Sequence, residues 1–378
     1  MTDSPQPTRS RASAEPLPGL SLGHPLGVPL RLASSWFVGA AIITWVFAPV
    51  VERRLVLESP WTLVVGASFA VLLGLSVLAH EMAHAVMAQR LGLRVRSMTI
   101  HLLGGVTVMD AETRRPWVDF VVAVVGPLMS LLVGGVAWLG YLAAPSGSVF
   151  AFVTWQLMVA NLIVGVLNLV PALPLDGGRL LRDVVWAASG REYLGTMVAG
   201  WTGRVFAVIM ACLAVVPFIG GRPDILWLAS GLLLAGFVWI EASRSLKYAG
   251  VARAISGLSA SDLLRPAVFV SPDTSLDAAL QLLSGERTML VVTDAEGGVS
   301  GVVRPEAAFA VPAERRPLVP VSSVAVTHVG RISMDATGQD LVDVLNAVPG
   351  HVYLVEDDQR TVYGVLVTAD VEAALAAR

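Results

Sequence analysis

The chain has 378 residues, 55% of them hydrophobic and 15% charged, with a net charge of −3. An ordinary soluble domain carries roughly 25% charged residues, so a mean hydropathy of +0.69 excludes a wholly water-soluble chain, and the absence of any Lys/Arg-rich run argues against a nucleic-acid partner. One cysteine, Cys212, excludes an intramolecular disulfide and a multi-cysteine zinc site.

Residues 1–32 are rich in Pro and Ser and hold Arg9 and Arg11 without an apolar core, which predicts a disordered cytosolic tail rather than a cleavable signal peptide. Six apolar runs follow, at about Ala33 to Val51, Trp61 to Ala88, Trp117 to Leu142, Ser148 to Val170, Leu194 to Ile219 and Ile225 to Ala242. Each approaches the ~20 residues that carry a helix across a bilayer, so residues 33–243 are expected to form a six-span, polytopic α-helical membrane domain. With the N-terminus inside, the inner segments hold Arg90, Arg94, Arg96, Arg179, Arg182, Arg191, Arg244 and Lys247, against Arg53, Arg54 and Arg222 outside. The positive-inside rule then predicts a multi-pass protein of the cell membrane with both termini cytosolic. It also puts the inner ends of spans two and four on one side.

Near the inner end of span two the chain reads His80-Glu81-Met82-Ala83-His84. Residues i and i+4 share a helix face, so both imidazoles can reach one cation while Glu81 approaches a metal-bound water as general base. The competing reading is a pair of core histidines with a hydrogen-bonded carboxylate. In hydrocarbon such groups are costly and are retained where they face an ion, a partner or a polar cavity. A catalytic zinc commonly takes three protein ligands and one water. The third candidate is Asp176, in Pro171-Ala172-Leu173-Pro174-Leu175-Asp176-Gly177-Gly178 after span four. There the prolines stop regular helix and the paired glycines permit a turn. Asp-Gly-Gly is also an ordinary turn sequence.

Together the His80 to His84 helix, Gly104-Gly105-Val106, Ala123-x-x-Gly126-Pro127 and Asn168 to Asp176 resemble, in order and spacing, the site-2 protease family of intramembrane metalloproteases. The resemblance covers roughly Ala33 to Ala242. It implies one Zn2+ per chain held by His80, His84 and Asp176, with Glu81 as catalytic carboxylate and Asn168 near the active site. It also implies a hairpin over Val95 to Val108, carrying Gly104 and Gly105, against which an extended substrate pairs by strand addition. Three ligands being already in hand, His101 within that hairpin reads as a surface or interfacial histidine. The substrate class implied is the transmembrane segment of a membrane protein, such as a membrane-held transcription regulator, cut within the lipid bilayer by regulated intramembrane proteolysis.

From about Val251 the charge density rises and apolar runs shrink to strand length. Residues 251–378 are expected to be a soluble cytosolic α/β domain of two repeats, about 258–311 and 320–378. The repeats resemble a pair of cystathionine-beta-synthase (CBS) domains, which implies an adenine-nucleotide sensor acting on the membrane part, or a homodimer formed through the pair. In that family a hydroxyl residue and, three places on, an Asp hold ribose and phosphate. Here Asp370 stands at the Asp place but Val367 at the hydroxyl place, and the first repeat has Arg304 and Ala307. A purely structural or dimerising pair is the alternative.

The function expected is therefore an intramembrane zinc metalloprotease. A CBS-regulated divalent-cation transporter or an inactive membrane scaffold is the alternative. A transporter needs ligands along a path across the bilayer, whereas these candidates cluster at one depth beside a carboxylate outside the ligand set.

Overall fold

The computed structural model describes residues 19–101, 104–109, 115–221, 224–283, 285 and 287–377. The chain forms two compact units, Met1–Lys247 and Tyr248–Arg378.

The first unit begins with strands β1 (Gly19–Ser21) and β2 (Leu30–Ala33), then helices α1 (Ser34–Leu55) and α2 (Trp61–Arg90). Strands β3 (Val95–His101) and β4 (Gly104–Met109) follow, and then α3 (Pro116–Ala143), α4 (Val149–Asn168), α5 (Asp176–Ser189), α6 (Glu192–Ile219) and the larger part of α7 (Ile225–Ser256). Six of these, all but α5, are long and apolar enough to cross a membrane, in agreement with the six runs read from the sequence. Their outward faces carry large apolar side chains such as Trp45, Leu132, Val166 and Leu233. The polar residues His80, Glu81, His84, Ser130, Asn161 and Asp176 are buried instead. In water this distribution would be inverted; in lipid, apolar surface is at no disadvantage and polar groups must find partners inside the bundle.

The N-terminal segment departs from expectation. Residues 1–18 of the predicted tail lie outside the described residues, but 19–33 are not disordered. They form a hairpin whose second strand pairs parallel with β3, Leu30 opposite Met98 and Leu32 opposite Ile100. The four-stranded sheet runs β1-β2-β3-β4, with β3 and β4 antiparallel. The ordering force is burial: Val28 and Leu30 join Met98, Ile100, Ala85, Ala88 and Val122 in one apolar cluster. A composition rich in Pro and Ser reads as disorder, yet two well-placed apolar residues suffice when a preformed strand offers its edge.

The second unit continues with α8 (Ala260–Leu263), β5 (Arg265–Val270), α9 (Leu276–Gln281), β6 (Met289–Thr293), β7 (Val299–Val303) and α10 (Pro305–Ala310). After it come β8 (Ala325–Val326), β9 (Gly330–Ser333), α11 (Gly338–Ala347), β10 (Val352–Glu356), β11 (Val362–Val367) and α12 (Thr368–Ala376). Its seven-stranded sheet has the order β8-β7-β6-β5-β11-β10-β9. The two repeats meet where β5 pairs antiparallel with β11, and each packs its helices over its own apolar cluster. The repeat read from sequence is thus present, as two strand-helix-strand-strand-helix modules.

Order at the N-terminus is testable by hydrogen exchange. The amide of Met98 donates to the carbonyl of Pro29 at 2.9 Å, and it is expected to exchange slowly in the native chain. In Val28→Asp, which buries a charge in the cluster, it is expected to exchange fast.

Candidate metal centre

His80 and His84 project from one face of α2, a turn apart, ten and six residues before its end at Arg90. Asp176 comes from another direction. Helix α4 ends at Asn168 and α5 starts at Asp176, with Pro171 and Pro174 in the turn between them, so regular helix cannot continue. The glycines after Asp176 do not make that turn. Gly177 and Gly178 lie in the first turn of α5, and a Cβ on either would fall 2.3 Å from the Val170 carbonyl oxygen or the Leu173 nitrogen. Their absent side chains let residues 169–173 fold over the start of α5. This sets Asp176 against α2.

The three side chains meet at one point. Asp176 Oδ2 lies 3.1 Å from His80 Nε2 and 3.3 Å from His84 Nε2, and the two Nε2 atoms are 3.2 Å apart. The other ring nitrogens explain the orientation. His84 Nδ1 lies 2.7 Å from the Val122 carbonyl, so it must carry a proton, and His80 Nδ1 lies 2.9 Å from Ser130 Oγ. In its neutral form His84 therefore presents the Nε2 lone pair to His80 and Asp176. A positive charge among the three atoms, carried by a proton or a metal ion, would hold them at these separations. A tetrahedral zinc with bonds of ~2.0–2.1 Å would space its ligands by about 3.3 Å, so these residues fit the ion. The remaining space is ruled by Gly126 of α3: a Cβ there would lie 2.2 Å from His84 Nε2 and 2.7 Å from His80 Nε2.

Glu81 is buried beside the ligands but takes no part in their cluster. Its Oε2 accepts a hydrogen bond from Thr107 Oγ1 on β4 at 2.7 Å. Gly105 on the same strand leaves room for it, since a Cβ at that position would lie 2.2 Å from Glu81 Cγ. A cavity of about 890 Å³ opens over the centre, lined by His80, Glu81, Asp176, Gly104, Gly105, Asn168 and His101. The structure thus brings together His80, Glu81, His84, Asp176, Gly104, Gly105 and Asn168, and it adds His101 to the cavity wall.

Sequence reading missed several neighbours. Ser130 follows Gly126 by one turn on the same face of α3, and Asn161 precedes Asn168 by two turns of α4; these spacings were the available signal. Asn161 donates to Ser76 Oγ at 3.1 Å. Thr107 stands two places after Gly105, on the same face of β4. Glu241 of α7 also lines the cavity and pairs with Arg244 at 2.5 Å.

The helix that delivers Asp176 is tied to α3 by charge. Arg182 donates to Asp183 Oδ1 at 2.8 Å and to Asp119 Oδ2 at 3.1 Å. Burial raises the carboxyl of Asp183 to about 6 against the opposing pull of Arg182, and its Oδ2 is buried without a hydrogen-bond partner.

Asp370 lies in the second unit. Arg265 grips both its oxygens, Nε to Oδ2 at 2.6 Å and Nη2 to Oδ1 at 2.8 Å. That bidentate pair lowers the carboxyl below its ordinary value.

Comparison with known proteins follows the same division. The profile of Peptidase family M50 matches residues 68–146 and 141–213, and that of the CBS domain matches residues 260–310. The zinc metalloprotease Rip3 of Mycobacterium tuberculosis is 32% identical over 270 residues, which are 69% of this chain and 67% of that protein. The zinc metalloprotease sll0528 of Synechocystis is 30% identical over 254 residues, 65% of each chain. Among solved structures, the site-2 protease of Methanocaldococcus jannaschii aligns with a TM-score of 0.42 and 23% identity, covering 60% of this chain and 95% of that one.

Two outcomes are expected. Gly126→Ala, which puts a methyl group among the ligand atoms, should lose most of its bound zinc by elemental analysis, while Ser130→Ala should keep the ion with affinity weakened about 10–100-fold. Asp183 should give stability a defined pH slope. Its unfolded carboxyl titrates near 3.9, its folded one near 6, so between those values the native state holds the extra proton. Stability therefore falls as pH rises from about 4 to about 6. Thermal unfolding in detergent should show the native chain losing on the order of 2 kcal/mol relative to Asp183→Asn across that window.

Proposed function

The chain belongs to peptidase family M50, the site-2 protease family of intramembrane zinc metalloproteases, and we propose that His80, His84 and Asp176 hold its zinc ion and that Glu81 is its general base. The observation that carries this assignment is the convergence of three ligand atoms from α2 and α5, with Glu81 beside them in one cavity. Zinc bound there would supply Lewis acidity, polarising a peptide carbonyl and bringing the pKa of water toward neutrality.

The chain's own groups do the rest. Glu81 takes the proton of the attacking water on the oxygen that Thr107 leaves free, and it returns a proton to the departing amine nitrogen. Strand β4 is paired only with β3 among the described residues, so its other edge can hold an extended substrate segment by main-chain hydrogen bonds. Extension is a condition of cleavage, because in a helix each peptide carbonyl is engaged with an amide four residues on. Asn168, at the cavity wall, is placed to support that segment.

The substrate is a transmembrane segment of another membrane protein, and a membrane-held transcription regulator is the kind of partner we infer. Arginine and lysine placement favours the cell membrane with both termini cytosolic. The CBS unit is the regulatory element in this reading, either as a homodimerising surface or as an adenine-nucleotide site. A nucleotide at Asp370 would have to compete with Arg265. The transporter and scaffold alternatives are not favoured, since the metal-ligand candidates sit at one depth and the relatives are metalloproteases.

The test is zinc content together with cleavage of a model single-span substrate in detergent, native chain against Glu81→Gln. Both should bind zinc, and the variant should cut slower by about 10²–10⁴-fold. A native chain that binds no zinc would refute the assignment.

A further inference from the structure

The cavity wall contains one hydroxyl bonded directly to the proposed base. Thr107 Oγ1 donates to Glu81 Oε2 at 2.7 Å, from a strand that has no other connection to the catalytic helix through its side-chain hydroxyls among the described residues. The alternation of β4 explains the aim. Val106 and Val108 are exposed, so Gly105 and Thr107 share the opposite face, and there Gly105 meets Glu81 Cγ as closely as backbone allows.

We propose that Thr107 is a positioning residue: its hydroxyl fixes one carboxylate oxygen of Glu81 and leaves the other free of that bond to take the proton of the attacking water. The inference rests on the reading of Glu81 as general base.

Chemistry gives the contact a direction. Toward a carboxylate, a threonine hydroxyl can act only as donor, so the bond marks Oε2 as the anchored atom and Oε1 as the working one. A glutamate side chain has three rotatable bonds, and misplacement of a catalytic group by about 1 Å can cost about 10²-fold in rate. The Gly105 backbone packs against the Glu81 side chain and Thr107 holds its Oε2. Since β4 is also the free edge proposed to receive substrate, a strand added there stiffens the element that holds the base. Substrate binding and base alignment are thereby coupled through a single side chain.

A structural role for the hydroxyl, merely satisfying a buried carboxylate, makes a different prediction from a positioning role. The experiment compares native chain, Glu81→Gln, Thr107→Val and Thr107→Ser, measuring zinc per chain and the kcat and KM for one single-span substrate. Thr107→Val keeps the shape and removes the hydroxyl. It should retain zinc and a KM within about twofold of native, while kcat per zinc falls about 10–100-fold. Thr107→Ser should restore kcat to within about threefold, because the donor is kept. Thr107→Ala, which also lacks the hydroxyl, gives the same comparison should the valine variant fail to fold. Cleavage by Thr107→Val at the native kcat, or by Thr107→Ser as slowly as by Thr107→Val, overturns the proposal while Glu81→Gln remains slow. If instead Glu81→Gln cuts as fast as the native chain, the assignment of the base itself falls.

Discussion

Everything in the membrane unit is arranged around three electron pairs that face one another inside an apolar bundle. Two imidazole nitrogens and a carboxylate oxygen lie within 3.3 Å of each other, and without a proton or a metal ion among them their electron pairs would repel, more strongly where water is scarce. They persist because each is oriented by a second contact: His84 by a main-chain carbonyl, His80 by Ser130, Asp176 by the fold of the preceding loop. A cation satisfies all three at once. The close approaches of backbone to these side chains fall at glycines, Gly126 against the two imidazoles and Gly105 against Glu81.

The same requirement accounts for what was legible in the sequence. His80, Glu81 and His84 occupy one helical turn, so local periodicity sufficed to place them on one face. Asp176 could be named only as a candidate from local chemistry, and family resemblance made it the third ligand; the paired glycines were correctly marked but for the wrong purpose. They serve close approach of a folded-back loop rather than a turn of their own.

Other features depended on contacts that no local pattern encodes. Ser130 lies 50 residues from His80, and Thr107 lies 26 residues from Glu81. Arg265 and Asp370 are 105 residues apart, which is why a position that resembles a nucleotide ligand turned out to carry an internal ion pair. The hairpin over residues 19–33 was misread for a related reason. Disorder is judged from composition, but a strand can be ordered by an edge supplied from beyond the next two helices.

That hairpin has a consequence for how the protein is made. Strand β2 precedes the first membrane helix and its partner β3 follows the second. The two strands can meet only if the intervening chain has crossed the bilayer and come back, an even number of passages. Should either α1 or α2 fail to insert, β2 and β3 would be stranded on opposite sides with their edges unpaired and the apolar cluster around Met98 incomplete. Closure of the small sheet therefore requires β2 and β3 to lie on one side of the membrane.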